Sequence, residues 1–347
     1  LWDDQGAILL LRGKENEAEK SFRNALRLVP TYAEALAHLA ALRARRGWFE
    51  QAVRLQEQAV THAPDNAGHA EKLEAYRALL ADETARRPQP PPDPEPAADP
   101  APALDLPAVD WPARVAALDW DAIGEALTRD GCVSVPRLME LDVCAPLRDL
   151  FDRDDLFAKT VTMDQPTFGR GTYRYFRAPV PELVEGLRRA VYPHVVRVAN
   201  HWQELLREGE RYPDEWDAFR AVCHQAGQAT PTPILLRYEP GGFNAPHRDL
   251  RGAVFFPIQM AVVLSPRHDQ AGDGFEGGEF LFRDVPERPK SRRRDVPAGL
   301  GDAILFCTRD RLAPIGGVYG LQPVKHGVAE ITAGTRVVLG VPFHEYR

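Results

Sequence analysis

LLRYEPGGFNAPHRDL, residues Leu235–Leu250, is the stretch from which the rest of this chain is read. It opens as an apolar run, turns at Pro240-Gly241-Gly242 and closes on His247-Arg248-Asp249. Alternate side chains of a strand share a face, so a histidine and an aspartate two apart can present an imidazole and a carboxylate to one point. H-x-D alone is a weak signal in a chain with 10 histidines. It gains weight from three features downstream: a Gly277-Gly278-Glu279 run, then His326, 79 residues beyond His247, then Arg336, ten residues further on. Two histidines and one carboxylate are the donors of the facial triad that holds non-haem iron(II) and leaves three coordination positions open. His247, Asp249 and His326 are therefore the candidate metal ligands and the candidate catalytic centre.

Outward from this stretch the texture is β-rich. ILLRY (Ile234–Tyr238), AVFFPIQMAVVLS (Ala253–Ser265), GGEFLF (Gly277–Phe282), DAILF (Asp302–Phe306) and RVVLGVPF (Arg336–Phe343) are short apolar runs separated by glycine and proline. Such spacing predicts a barrel or sandwich of seven to eight strands. Upstream, CVSVPRLM (Cys132–Met139) reads as a first strand after a helix over 120–129. Leu183, Leu187, Val191, Val195, Val198, Trp202 and Leu206 recur at three-to-four-residue spacing and predict a long helix backing the sheet. GRGTYRYF (Gly169–Phe176) is expected to be either a lid that touches substrate or a surface turn.

Residues from about Gly124 to Phe343 resemble the iron(II)/2-oxoglutarate-dependent dioxygenase superfamily, in its prolyl 4-hydroxylase-like bacterial branch. The matching stretches are LLRYEPGGFNAPHRDL, GGEFLF, PAGLGDAILF (Pro297–Phe306) and HGVAEITAGTRVVLG (His326–Gly340). The resemblance implies an α+β fold whose catalytic domain is a double-stranded β-helix (a jelly roll) with backing helices. It also implies that His247, Asp249 and His326 hold iron(II), that 2-oxoglutarate and dioxygen are consumed, and that the enzyme hydroxylates its substrate. Arg336 would bind the distal carboxylate of 2-oxoglutarate, and Tyr238 matches a tyrosine that helps to hold it. Arg248, Leu250 and Arg251 differ from the animal collagen hydroxylases, which leaves the substrate open. The chemistry of the side chains agrees: a dicarboxylate chelating the metal at one end needs a cation at the other, and the arginine fork offers paired charge-assisted bonds. Candidate substrate contacts are Asn244 and Arg251 beside the metal motif, Gln259 among apolar strand neighbours, and Tyr173 and Arg174.

A proline-rich stretch, RRPQPPPDPEPAADPAPALDLPAVD, covers residues 86–110 and predicts an extended spacer. Before it, residues 1–85 carry a repeat of 34 residues: Gly13 recurs as Gly47, Ala18 as Ala52, Ala25 as Ala59 and Pro30 as Pro64. This resembles the tetratricopeptide repeat, with Trp2, Gly6, Phe22 and Leu39 on motif positions and Gln56 where an aromatic is usual. A third helix over 67–80 would cap the array. The expected architecture is thus an all-α repeat domain (1–85), a linker (86–110) and an oxygenase domain (111–347).

The composition is ordinary for a soluble protein, 44% hydrophobic and 27% charged, and a formal net charge of −7 gives no reason to expect a nucleic-acid partner. Cys132, Cys144, Cys223 and Cys307 lie far apart and read as free thiols in a reducing compartment. No apolar run approaches the roughly 18 residues of a membrane span, and cytoplasm is the default location. The functional expectation is a hydroxylase of a peptide or protein side chain, recruited through the helical repeats. The alternatives are a hydroxylase of a free amino acid or natural-product intermediate, and a catalytically silent metal-binding jelly roll.

Overall fold

The computed structural model describes residues 2–12, 14–45, 49–86, 104–206, 211–249, 254–285, 293–315 and 318–346. The chain forms two compact units, one of Leu1–Pro90 with Pro314–Gly320, the other of Pro91–Ala313 with Leu321–Arg347.

The first unit is built of α1 (Trp2–Leu11), α2 (Glu15–Leu28), α3 (Ala33–Arg45), α4 (Phe49–His62) and α5 (Ala67–Arg86). Small residues sit where helices touch: Ala18, Ala25, Ala52 and Ala59 are all buried. A Cβ on Gly6 would lie 2.4 Å from the Phe22 ring, so α1 approaches α2 only because that position lacks a side chain. Gln56 is buried and donates through Nε2 to the His69 carbonyl at 2.9 Å, whereas its Oε1 has no partner among the described residues. Gly13 and Gly47 fall outside the described residues. Helix α5 runs past the expected end at Leu80 because no glycine or proline interrupts it before Pro88.

The linker expectation is shortened at its far end. Residues 87–103 are outside the described set, but Leu104, Leu106 and Val109 already pack against the core of the second unit.

That unit contains α6 (Trp111–Ala116), α7 (Trp120–Asp130), β1 (Cys132–Val135), α8 (Leu141–Asp149), β2 (Phe157–Gln165), β3 (Gly169–Phe176), α9 (Glu182–Leu206), α10 (Trp216–Gln225), β4 (Ile234–Tyr238), β5 (Phe243–His247), β6 (Ile258–Val263), β7 (Glu276–Gly277), β8 (Phe280–Asp284), β9 (Arg293–Val296), β10 (Ala303–Cys307), β11 (Asp310–Ile315), β12 (Val318–Val328), β13 (Ile331–Ala333) and β14 (Arg336–Pro342). Ten strands follow one another in the order β1-β10-β6-β14-β4-β3-β5-β12-β8-β9, β2 pairs with β3, β11 with β12, and β13 with β7 apart from the rest. The resulting jelly roll buries β14, which lies between β4 and β6, along almost its whole length. Helix α9 presents Leu183, Leu187, Val191, Val195, Ala199, Trp202 and Leu206 to the core from one face, as its periodicity requires.

GRGTYRYF is neither a lid nor a surface turn. It is strand β3, paired along one edge with β2 and along the other with β4 and β5. The aromatic and β-branched residues that looked like a contact patch suit a pleated, largely buried strand.

The chain's end ties helices to sheet. Arg188 on α9 is fully buried, donates to Thr232 Oγ1 at 3.1 Å and the His344 carbonyl at 3.2 Å, and faces Glu345 at 3.5 Å and Glu185 at 3.6 Å. Glu345 also meets His224 at 2.6 Å. Truncating one partner of a buried ion pair strands the other charge. Glu345→Ala is therefore expected to lower unfolding stability by about 3 kcal/mol in urea titration, whereas a change within about 0.5 kcal/mol would show that Glu185 alone balances Arg188.

Candidate metal centre and co-substrate pocket

His247 closes β5 and His326 lies near the end of β12, and the two residues are directly opposite in the antiparallel ladder. Cross-strand neighbours on one face bring side chains together, and here the imidazole centroids are 4.4 Å apart. Asp249 follows β5 and turns back to the pair: Oδ1 lies 3.6 Å from His247 Nε2, and Oδ2 lies 3.4 Å from His326 Nε2. One donor atom from each of the three residues lies within 4.8 Å of the others.

The surroundings prepare these atoms for a cation. His247 Nδ1 is 2.9 Å from the Ala245 carbonyl, which fixes the proton on Nδ1 and leaves the Nε2 lone pair free. Burial, together with the neighbouring His326, pushes the His247 pKa down and favours the neutral ring. Burial would raise the Asp249 carboxyl, yet His326 and His247 outweigh it and hold the group well below the usual carboxylate range. His326 is held differently. Its ring is walled by Phe306 at 4.7 Å and Phe280 at 6.2 Å between centroids, and its buried Nδ1 has no hydrogen-bond partner among the described residues. Two imidazoles and a carboxylate whose donor atoms lie within reach of one point fit iron(II).

Arg336 begins β14 directly opposite Tyr238 at the end of β4. It is 2% exposed, and its Nε and Nη1 have no hydrogen-bond partner among the described residues. Burial lowers its pKa to about 10, so it stays charged at neutral pH. A buried cation with unmet N–H groups is costly unless an anion completes it. The cradle around it is shaped by Gly278, whose φ is +68° and whose added Cβ would strike Ile331 at 2.4 Å and the Arg336 side chain at 2.9 Å. Tyr238 is fully buried, which raises its pKa, and its hydroxyl faces Tyr173 and Asn244. Asn244 is three residues before His247 on β5, so Arg336 on β14, Tyr238 on β4 and Asn244 on β5 lead across the sheet towards the triad, with β3 between the last two. The dicarboxylate 2-oxoglutarate fits this pair of sites.

The remaining candidates separate. Tyr173 joins the Tyr238 side, with ring centroids 5.9 Å apart. Arg174, the next residue of the strand, points to the opposite face and is corrected as a substrate contact. Its guanidinium donates to the Phe151 carbonyl at 2.5 Å, pairs with Asp154, and lies 4.4 Å over the Phe157 ring. Gln259 is also corrected: its Nε2 donates to Asp249 Oδ2 at 3.0 Å rather than waiting for a substrate. Arg251 lies outside the described residues.

Sequence reasoning missed Phe280 and Phe306. The alternation in GGEFLF places Phe280 and Phe282 on one face, but nothing in one strand says which histidine that face meets. It also missed His344, fully buried near the Asp249 charge and pushed down to about 3 by burial.

Residues 171–346 match the family described as "Oxygenase, catalysing oxidative methylation of damaged DNA". The chain belongs to this oxygenase family. An uncharacterized protein of Mycobacterium tuberculosis strain H37Rv is 35% identical over 173 residues, 49% of this chain and 71% of that protein. Among solved structures, a Pseudomonas putida prolyl-4-hydroxylase is similar at 14% identity and a TM-score of 0.38, covering 66% of this chain and 99% of its own. A 2OG-Fe(II) oxygenase-family oxidoreductase from Burkholderia pseudomallei is similar at 18% identity and a TM-score of 0.33, covering 66% and 94%. Among the described residues, no helix is long and apolar enough to cross a membrane.

Arg336→Ala is expected to weaken 2-oxoglutarate binding by about 3 kcal/mol, on the order of a hundredfold in Kd, because it removes charge-assisted bonds in a buried place. Calorimetry against Mn(II)-loaded protein measures this. A wild-type Kd would move the carboxylate site elsewhere.

Proposed function

We propose that this oxygenase holds iron(II) through His247, Asp249 and His326, binds 2-oxoglutarate with Arg336 and Tyr238, and hydroxylates a peptide or protein side chain. The observation that carries the reading is the buried, incompletely partnered Arg336 on the same sheet as a three-donor cluster, since a metal-only binding protein has no use for it. When bound, iron and 2-oxoglutarate supply oxidative decarboxylation to succinate and the oxidising power to hydroxylate a C–H bond.

The chain's own residues bind, orient and exclude water. His247 and His326 offer imidazole nitrogens from adjacent strands, so their separation is set by the ladder rather than by a loop. Phe280 and Phe306 keep water from the His326 side. Arg336 anchors the far carboxylate, and Tyr238 and Asn244 line the route between it and the metal point. A co-substrate fixed at both ends leaves one side of the centre for the substrate carbon, and such positioning is the protein's main contribution to rate.

For the substrate, the helical unit with its 34-residue repeat supports recruitment of a peptide or protein. In this reading residues 1–85 act as recruitment module and residues 104–347, whose first segment packs on the oxygenase core, as catalytic domain. The family's description favours a second reading, damaged DNA. Against it stands the charge: the chain is net −7, and on β3 and β4 Arg170 is paired with Asp164 at 2.9 Å and Arg237 with Asp152 at 3.0 Å. A phosphate-tracking surface needs unneutralised cations.

Succinate release measured with peptide pools, free amino acids and alkylated oligonucleotides separates the readings. Peptides should stimulate turnover, and removal of residues 1–85 should raise KM for the best peptide by about tenfold or more through loss of effective concentration. Stimulation by alkylated oligonucleotides alone would replace the peptide reading with the DNA one. Stimulation by a free amino acid, with no effect of the deletion, would end the recruitment role.

A further inference from the structure

Asp249 differs from the two histidines in how it is held. His247 and His326 sit within strands, whereas Asp249 lies past the end of β5 and outside any strand. A carboxylate there can swing about its side-chain torsions, and a swing of roughly one ångström spoils facial coordination. The described groups within ion-pair or hydrogen-bond distance of it are His247 Nε2 at 3.6 Å, His326 Nε2 at 3.4 Å and Gln259 Nε2 at 3.0 Å, with the buried His344 ring further off. The first two are the nitrogens assigned to the metal, so they are not available to anchor the carboxylate once a cation is bound. Among the described residues, Gln259 is then the hydrogen-bond donor left to the carboxylate, which it reaches at Oδ2.

Building on the iron-triad reading, we infer that Gln259 is a positioning residue that fixes the rotation of the Asp249 carboxylate and thereby sets metal affinity. Gln259 suits the task by its place and by its chemistry. It lies on β6, paired with Phe306 of β10 on one side and Pro342 of β14 on the other, so its backbone is held from both edges. It is 7% exposed, between Ile258 and Met260, and a buried amide among apolar neighbours requires a partner. An ionised carboxylate only accepts, so the amide group facing it must be the NH2. A neutral amide neither repels the incoming cation, as Lys or Arg would, nor competes as an anionic ligand, as Glu would. It stabilises the ionised form of Asp249 and orients it at the same time. Partners that orient metal ligands in this way typically matter by roughly 10- to 100-fold in metal affinity.

Gln259→Met keeps the length and removes the donor; Gln259→Asn keeps the donor but shortens its reach. Full-length protein, freed of metal, is titrated anaerobically with Co(II) alone, followed by its visible ligand-field absorption, beside Asp249→Ala. Both Gln259 variants should bind Co(II) roughly 10- to 100-fold more weakly, with an altered ligand-field band and a metal-free melting temperature within about 3 °C of wild type. Should Gln259→Met fail to fold, Gln259→Asn carries the comparison. Wild-type Co(II) affinity in a folded Gln259 variant overturns the inference, provided that Asp249→Ala has lost binding. A fall in affinity matched by an equal fall in metal-free stability also overturns it and makes Gln259 a packing residue. If Asp249→Ala itself binds Co(II) like wild type, the triad reading fails instead, and the inference with it.

Discussion

The pairing of His326 with His247 across the β12–β5 ladder is the constraint on which the site depends. Two nitrogens 79 residues apart in sequence cannot be held a few ångströms from each other by a loop without large entropic cost. A strand ladder supplies that precision, because its register is set by many backbone hydrogen bonds and by burial of one face. A one-residue slip of β12 would turn His326 to the other face and replace it with Lys325 or Gly327. The apolar walls of Phe280 and Phe306 therefore protect the register as well as the ring.

A second element rests on the same sheet. The pairing of Arg336 with Tyr238 places a buried cation on β14, separated from β5 by β4 and β3, in a cradle that only a glycine at 278 leaves open. The fold bears the cost of that burial, so the guanidinium is already in place before an anion arrives. In the proposed reading, preorganisation of this kind converts a stability penalty into affinity and orientation for the co-substrate.

Much of this is legible in the sequence, for identifiable reasons. His247 and Asp249 can be picked out from the H-x-D spacing, although Asp249 reaches the site from beyond the end of β5 and not by strand alternation, and Arg336 stands out because an arginine heads a strand of valine and leucine. Helix α9 declares itself by its periodicity. Relations between strands distant along the chain are what one sequence cannot supply. Gln259 reads as a buried amide in need of a partner, yet that partner is Asp249 on another element and not a ligand. Tyr173 and Arg174 read as one group, and only the pairing of β3 separates them onto opposite faces. The aromatic and threonine content of GRGTYRYF suits a turn, a lid or a strand, and the fold, by giving it partners on both edges, makes it a strand.

The central claim, that His247, Asp249 and His326 together hold iron(II) on which 2-oxoglutarate chelates, is tested most directly by anaerobic visible spectroscopy of the protein with both added. The account predicts the weak charge-transfer band of a chelated 2-oxo acid in the wild type, and its loss in both His247→Ala and Asp249→Ala. No band in the wild type, or a band unchanged in both variants, would contradict it.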